Sequence, residues 1–362
     1  MPIYEKRLQQ DLNQIRQAVA DMGAGVENAL KNAVQSLLSG NEALANMTIL
    51  MDEPLDRHCQ HVDQMCHGFI ARHLPSAGHL RLISSSLRMI YELERIADYA
   101  VNICRESLDL ETPPSGVLRQ ELESMANASR NMLHQALSAF NQENAGLAKS
   151  TMELNAQLGK GLEQAIRDLV AEGDSHAGHS RDIVDLYVIF TMLERVGNRA
   201  TNLCEEVVFW LTGEMPPTKV INVLFLDEEN NALGLMAQAM ASKGYEKSCQ
   251  FSSAGRNPAK APDPRAVEFM RGIGIDISAL QPTGLAQVDL DAIDVIIALQ
   301  GRVRSYIPKP PFHAAFLDWD VGALPEANEE RNSANRRYEE IYRDLAGQLR
   351  ELMDILAGRE VM

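Results

Sequence analysis

Two eleven-residue stretches one hundred positions apart, Leu93-Glu-Arg-Ile-Ala-Asp-Tyr-Ala-Val-Asn-Ile103 and Leu193-Glu-Arg-Val-Gly-Asn-Arg-Ala-Thr-Asn-Leu203, are near copies of each other. A chain that carries such copies is built from a duplicated unit. Within each copy a side chain bearing oxygen recurs every four residues: Glu94, Asp98 and Asn102, then Glu194, Asn198 and Asn202. That spacing lines them up on one face of an α-helix, about one turn apart. Oxygen ligands stacked in this way can hold a hard cation.

The duplication reaches further. Gly40-Asn41-Glu-Ala-Leu-Ala45 matches Glu143-Asn144-Ala-Gly-Leu-Ala148 at an offset of 103, whereas Arg81 and Arg181 match at 100, so the second copy has the shorter loop. From about Glu5 to Gly213 apolar residues recur at three- and four-residue spacing, interrupted by short polar or Pro/Gly clusters. The pattern predicts six long helices, divided three and three by Thr112-Pro-Pro-Ser-Gly116. The expected architecture is a pair of three-helix antiparallel bundles, residues 1–113 and 114–214, packed side by side.

At Met215-Pro-Pro217 the texture changes. Val220 to Leu226 is a β-branched run of the kind that makes a buried parallel strand, followed by an amphipathic stretch from about Ala232 to Lys243. Further strand signals fall at Cys249–Ser253 and Asp294–Leu299, with an edge strand expected at Ala315–Asp318 and a charged helix from Ser333 to Ala357. Strands alternating with helices predict a small α/β domain with a parallel sheet over residues 218–362.

Composition narrows the partners. A formal charge of −16 without a basic run argues against nucleic acid and anionic membrane, because binding to either needs clustered Lys and Arg. No stretch approaches the roughly 20 apolar residues of a membrane span, so no direct membrane insertion is expected, and a cytoplasmic location is. Five scattered cysteines are poor material for a disulfide framework and are expected to be reduced.

The motif Glu94-Arg-Ile-Ala-Asp98, preceded by Leu80-Arg-Leu-Ile-Ser84 and followed by Asn102-Ile103, resembles the PhoU family of phosphate-uptake regulators, which are built from two three-helix bundles with an acidic motif in each. The resemblance covers roughly residues 5 to 213 and implies a surface metal cluster. Asp52 and Asp56 in the middle of the second helix, with Glu94 and Asp98 on the third, would form an oxygen-rich site for iron or manganese, or for magnesium, rather than zinc. In the second repeat Asn155, Gly159 and Asn198 replace Asp52, Asp56 and Asp98, so the face of Glu194, Asn198 and Asn202 is expected to bind metal weakly or not at all. Carboxylates at this spacing also occur on solvated faces or beside arginines, here Arg95 and Arg195. His58, Cys59, His61, Cys66 and His67 crowd the helix bearing Asp52, but their spacing gives no compact zinc set. His176 and His179 are expected in solvent.

Val223 to Gln238, with Phe251-Ser-Ser-Ala-Gly255 and Asp294-Val-Ile-Ile297, resembles the low-molecular-weight protein tyrosine phosphatases and related arsenate reductases. In that family a low-pKa Cys attacks the substrate and an Arg holds the phosphate oxygens. At these places the chain has Asp227 and Leu233, with Gly234 for the usual Ser, while Asn230 stands as in the family. The position of the general acid falls within Ala323-Leu-Pro325, or at Asp318 or Asp320. A carboxylate at 227 beside Glu228 and Glu229, with no Arg to offset it, should repel oxyanions. Cys249 is expected to be buried filler.

Together the resemblances imply a regulator of phosphate transport and signalling that binds rather than catalyses, with a degenerate phosphatase-like domain for interaction. Its implied partners are the ATPase of a phosphate transporter and a phosphate-sensing histidine kinase, and a homodimer is implied as well. The alternatives are an arsenate reductase or phosphatase carried by a PhoU-like module, and a metal buffer.

Overall fold

The apolar periodicity of the first part of the chain does produce helices, but eight among the described residues rather than six: α1 (Ile3–Ser39), α2 (Glu42–Leu50), α3 (Asp52–Arg72), α4 (Ala77–Asp109), α5 (Gly116–Asn141), α6 (Ala145–Met152), α7 (Asn155–Ser175) and α8 (Ser180–Thr212). The computed structural model describes residues 3–175, 180–215, 220–245, 249–326 and 328–357. The middle helix of each repeat is broken once. In the first repeat Pro54, the third residue of α3, has no N–H to bond the Leu50 carbonyl and so is tolerated only in a first turn. The second repeat has no proline there, yet it turns on the same tight bond, Leu154 N–H to the Thr151 carbonyl at 3.1 Å, as the first does from Met51 N–H to the Thr48 carbonyl at 3.1 Å. Asn41 and Asn144 cap the two short helices alike, accepting from the N–H of Leu44 at 3.1 Å and of Leu147 at 3.0 Å.

These eight helices form one unit, Met1–Pro216, and share one core. Met89, Leu93, Ile96 and Ile103 of α4 are buried with Ile189, Leu193, Val196 and Leu203 of α8, and α1 and α5 add to the same cluster. The repeats therefore pack through a continuous apolar centre, not as two bundles with separate cores. The equivalent helices α1 and α5 run antiparallel, as three contacts along their length show: Arg16 to Glu143 at 2.6 Å, Glu27 to His134 at 2.9 Å, and the Leu38 carbonyl to Arg119 at 2.8 Å.

The second unit, Pro217–Met362, contains β1 (Ile221–Asp227), α9 (Leu233–Tyr245), β2 (Cys249–Gly255), α10 (Pro264–Gly272), β3 (Val295–Ala298), α11 (Val303–Tyr306), β4 (Ala315–Asp318) and α12 (Arg331–Leu356). The strands form a parallel sheet in the order β2-β1-β3-β4. Along β1, Val223 and Phe225 face one core with α9, α10 and α12, while Leu224 and Leu226 face another with Ile296 and Val303. Burial on both faces is why the strand reads as an unbroken apolar run. β4 is the exposed edge that its position predicts. The helix α10 was not legible from apolar spacing; Asp263 starts it by accepting from the N–H of Arg265 and Ala266 at 2.7 and 3.1 Å, with Pro264 as its first residue.

Candidate functional site

The helix break moves Asp52 from the middle of a helix to the first position of α3, with Asp56 one turn further on. There the positive end of the helix dipole faces its carboxylate. Glu94 and Asp98 stand on α4, and the four carboxylates lie in one another's field. Burial, then the charges of Asp56 and Asp98, pushes the Asp52 carboxyl above the usual carboxylate range. The same causes act in the same order on Glu94, and burial followed by Asp56 raises Asp98. Arg95 and Arg105 offset these effects in part. Ionised carboxylates accept hydrogen bonds and cannot donate them, so this group cannot satisfy itself without a proton or a cation. Asp52 Oδ1 is buried with no hydrogen-bond partner, as is the equivalent Asn155 Oδ1 of the second repeat. Among the described residues, no three His, Cys, Asp or Glu side chains are already gathered at metal-ligand spacing. By charge and donor type the four suit a hard cation.

The second repeat resolves the same arrangement differently. Asn155 Nδ2 donates to Asn198 Oδ1 at 2.8 Å, and Asn198 Nδ2 donates to Glu194 Oε1 at 2.7 Å. Two amides supply the donors that two carboxylates lack, and a single negative charge remains. Gly159 stands where the first repeat has Asp56, and a side chain there would meet open space. Asn202 is half-buried and takes no part in this chain. The second face thus carries one carboxylate where the first carries four.

The His/Cys group does not assemble. Cys59 and Cys66 are buried in the core, with Cys59 Sγ near the Ile90 carbonyl at 3.8 Å, while His67 lies outside, bonding the Asp63 carbonyl at 3.0 Å. His176 and His179 lie outside the described residues.

In the second unit Asp227 ends β1 at the C-terminal edge of the sheet, between β2 and β3, where open α/β sheets bind ligands. Its carboxylate is buried rather than displayed to solvent. It turns inward, with Oδ1 accepting from Asn230 N–H at 2.5 Å and Oδ2 from Gly234 N–H at 2.8 Å. Two of the N–H groups that such a loop would offer to an anion are thus taken by the chain's own carboxylate. Asn230, fully buried with φ 51°, braces the turn by donating from Nδ2 to the Ser253 carbonyl at 3.1 Å. Gly255, which sequence reasoning did not single out, is equally necessary: a Cβ there would lie 2.8 Å from the backbone N of Asn230 and 2.8 Å from the carbonyl C of Glu229. The expectation that no arginine stands near the loop is also corrected. Arg256 pairs with Glu228 at 3.5 Å, stacks on Tyr306 at 4.8 Å and donates to the Ser305 carbonyl at 2.6 Å, so its charge is already engaged. Leu233 opens α9 fully buried, Asp318 accepts from Val303 N–H at 2.7 Å, and Cys249 is buried beside Met353 at 4.0 Å.

Burial raises the Asp227 carboxyl from 3.8 to about 6, against the two N–H bonds that lower it and with Glu229 and Glu228 adding to the rise. Since the folded value lies above the unfolded one, the stabilisation is complete below about pH 4 and is lost as pH rises through about 6. The second unit should therefore be more stable at pH 5 than at pH 7 by roughly 1 kcal/mol from this group. Trp319, which packs at 5.9 Å from Phe225, reports that unit. Urea unfolding followed by Trp319 fluorescence in a Trp210→Phe background should show the shift, and Asp227→Asn should flatten it. An unaltered pH slope in that variant would show that the ionisation lies elsewhere.

Comparison with known proteins then places both units. The PhoU domain matches twice, at residues 19–107 and 122–207, and the low molecular weight phosphotyrosine protein phosphatase family matches residues 222–359. The chain is 30% identical over 207 residues to a phosphate-specific transport system accessory protein PhoU homolog of Pseudomonas putida, covering 56% of this chain and 80% of that protein. It is 30% identical over 208 residues to homolog 1 of Thermotoga maritima, covering 57% of this chain and 89% of that protein. The crystal structure of PhoU from Pseudomonas aeruginosa superposes with a TM-score of 0.55 at 27% identity, over 57% of this chain and 99% of that one. Among the described residues no helix is long and apolar enough to cross a membrane.

Proposed function

Because this chain belongs to the PhoU family, we propose that it is an accessory regulator of phosphate transport and phosphate-responsive signalling, working in the cytoplasm by binding rather than by turnover. The observation that carries this reading is the match to phosphate-specific transport accessory proteins over 80% and 89% of their length, with both repeats present. The partners it points to are the transporter's ATPase and the histidine kinase that senses phosphate. In the first repeat Asp52, Asp56, Glu94 and Asp98 would hold iron or manganese, which offsets most of the repulsion among four like charges and fixes the α3–α4 surface for a partner. In the second repeat the bonds among Asn155, Asn198 and Glu194 replace that ion.

The second unit is read as a phosphatase fold retained for interaction. Asp227 supports this, since its carboxylate fills its own loop, and so does Leu233, which has no group to hold an oxyanion. Asp227 offers no thiol for disulfide chemistry. Its one route to catalysis is attack by the carboxylate on a phosphoryl group to give an acyl phosphate. The intact protein is expected neither to hydrolyse aryl phosphates nor to reduce arsenate, and to form no phosphoenzyme. Turnover that disappears in Asp227→Asn would overturn this part of the reading and favour a phosphatase carried by a PhoU-like module.

A further inference from the structure

The two repeats meet along α1 and α5, and on this line the duplication leaves an unbalanced charge. At the offset of 103 seen in the helix caps, Met22, Asn28, Leu30 and Ala33 of α1 recur as Met125, Asn131, Leu133 and Ala136 of α5. By the same offset Glu27 corresponds to Arg130 and Lys31 to His134. Because the helices are antiparallel, residue 27 of one meets residue 134 of the other, and the local two-fold relation sets 31 against 130. The first of these contacts is complementary: His134 Nδ1 lies 2.9 Å from Glu27 Oε1. Its mate is not, since Lys31 and Arg130 are both cations.

Neither cation has an ion-pair partner among the described residues, and both line two adjoining grooves, one of about 500 Å³ and one of about 360 Å³. The larger groove also receives the amides of Asn28, Asn127 and Asn131. Two carboxylates share these grooves, Glu27, which bonds His134, and Glu123, which pairs with Arg119, both at 2.9 Å. On a chain of net charge −16, this groove brings together three amides and two cations that have no ion-pair partner among the described residues.

We propose that the α1–α5 groove is a binding site for a phosphate-bearing anion of two or more charges. Arg130 supplies a planar fork of donors for phosphate oxygens, Lys31 a second positive charge from the opposite helix, and the amides further donors. The space exceeds one phosphate and admits a phosphate ester, so the same chemistry serves a free or an esterified group. This inference rests on neither the acidic cluster nor the Asp227 loop.

The test is calorimetric titration of the intact, metal-stripped protein with inorganic phosphate, pyrophosphate and ATP as separate probes. At least one should bind saturably, and the preferred probe distinguishes a free from an esterified ligand. Lys31→Ser and Arg130→Ser, changes at the helix surface, should each weaken binding about tenfold or more. Glu27→Gln removes a neighbouring negative charge and should tighten it. Absence of saturable binding by all three probes at millimolar concentration would overturn the proposal. So would binding that is unchanged in both cation variants, or binding that is lost in Asp227→Asn instead.

Discussion

Protein purified from cells supplied with iron and manganese is expected to carry metal on its first repeat, and the double substitution Asp52→Asn with Asp98→Asn is expected to remove it. The substitution copies the second repeat, where Asn155 and Asn198 stand at these positions and bond each other and Glu194. Elemental analysis should show metal content falling to roughly a tenth of the wild-type value or less. The same change should act with the opposite sign on the metal-free protein. Without a cation the four carboxylates repel one another, and Asp52 Oδ1 has no partner. Replacing two of them with amides should raise the stability of the metal-free helical unit by about 1 kcal/mol. Added manganese should raise the unfolding midpoint of the wild type and leave that of the double variant in place. Equal metal content in the two proteins, or a metal-free variant less stable than the metal-free wild type, would reduce the cluster to a solvated acidic face. Because burial and mutual repulsion raise Asp52, Glu94 and Asp98, protons compete with the metal, and its affinity should fall as pH is lowered.

Much of this arrangement was legible because a helix repeats its faces. The spacing of Glu94, Asp98 and their counterparts fixed which side chains share a surface, and the near-continuous apolar run of β1 marked a strand covered on both sides. What escaped the reading were features set by local detail. The break at Met51, accompanied by Pro54 in the first repeat and present without a proline in the second, carries Asp52 to a helix start. The inward turn of Asp227 depends on the left-handed backbone at Asn230 and on the missing Cβ of Gly255, neither of which produces a periodic signal. The amide chain of Asn155, Asn198 and Glu194 was not legible either, because which amide donates to which oxygen leaves no mark in the spacing. Nor did apolar spacing show that the two repeats share one core, since a pattern of buried positions does not say which repeat covers them.

By the proposed function the helical unit restrains phosphate uptake, and measuring uptake in cells decides whether it does. In a strain with no other PhoU-like gene, deleting the segment that encodes residues 3–215 should raise the initial rate of labelled phosphate uptake several-fold when phosphate is plentiful. A phosphate-response reporter should rise with it. Restoring the full chain should return both to the starting level, whereas the chain with Asp52→Asn and Asp98→Asn should not. Uptake and reporter output that stay unchanged on deletion would contradict the account.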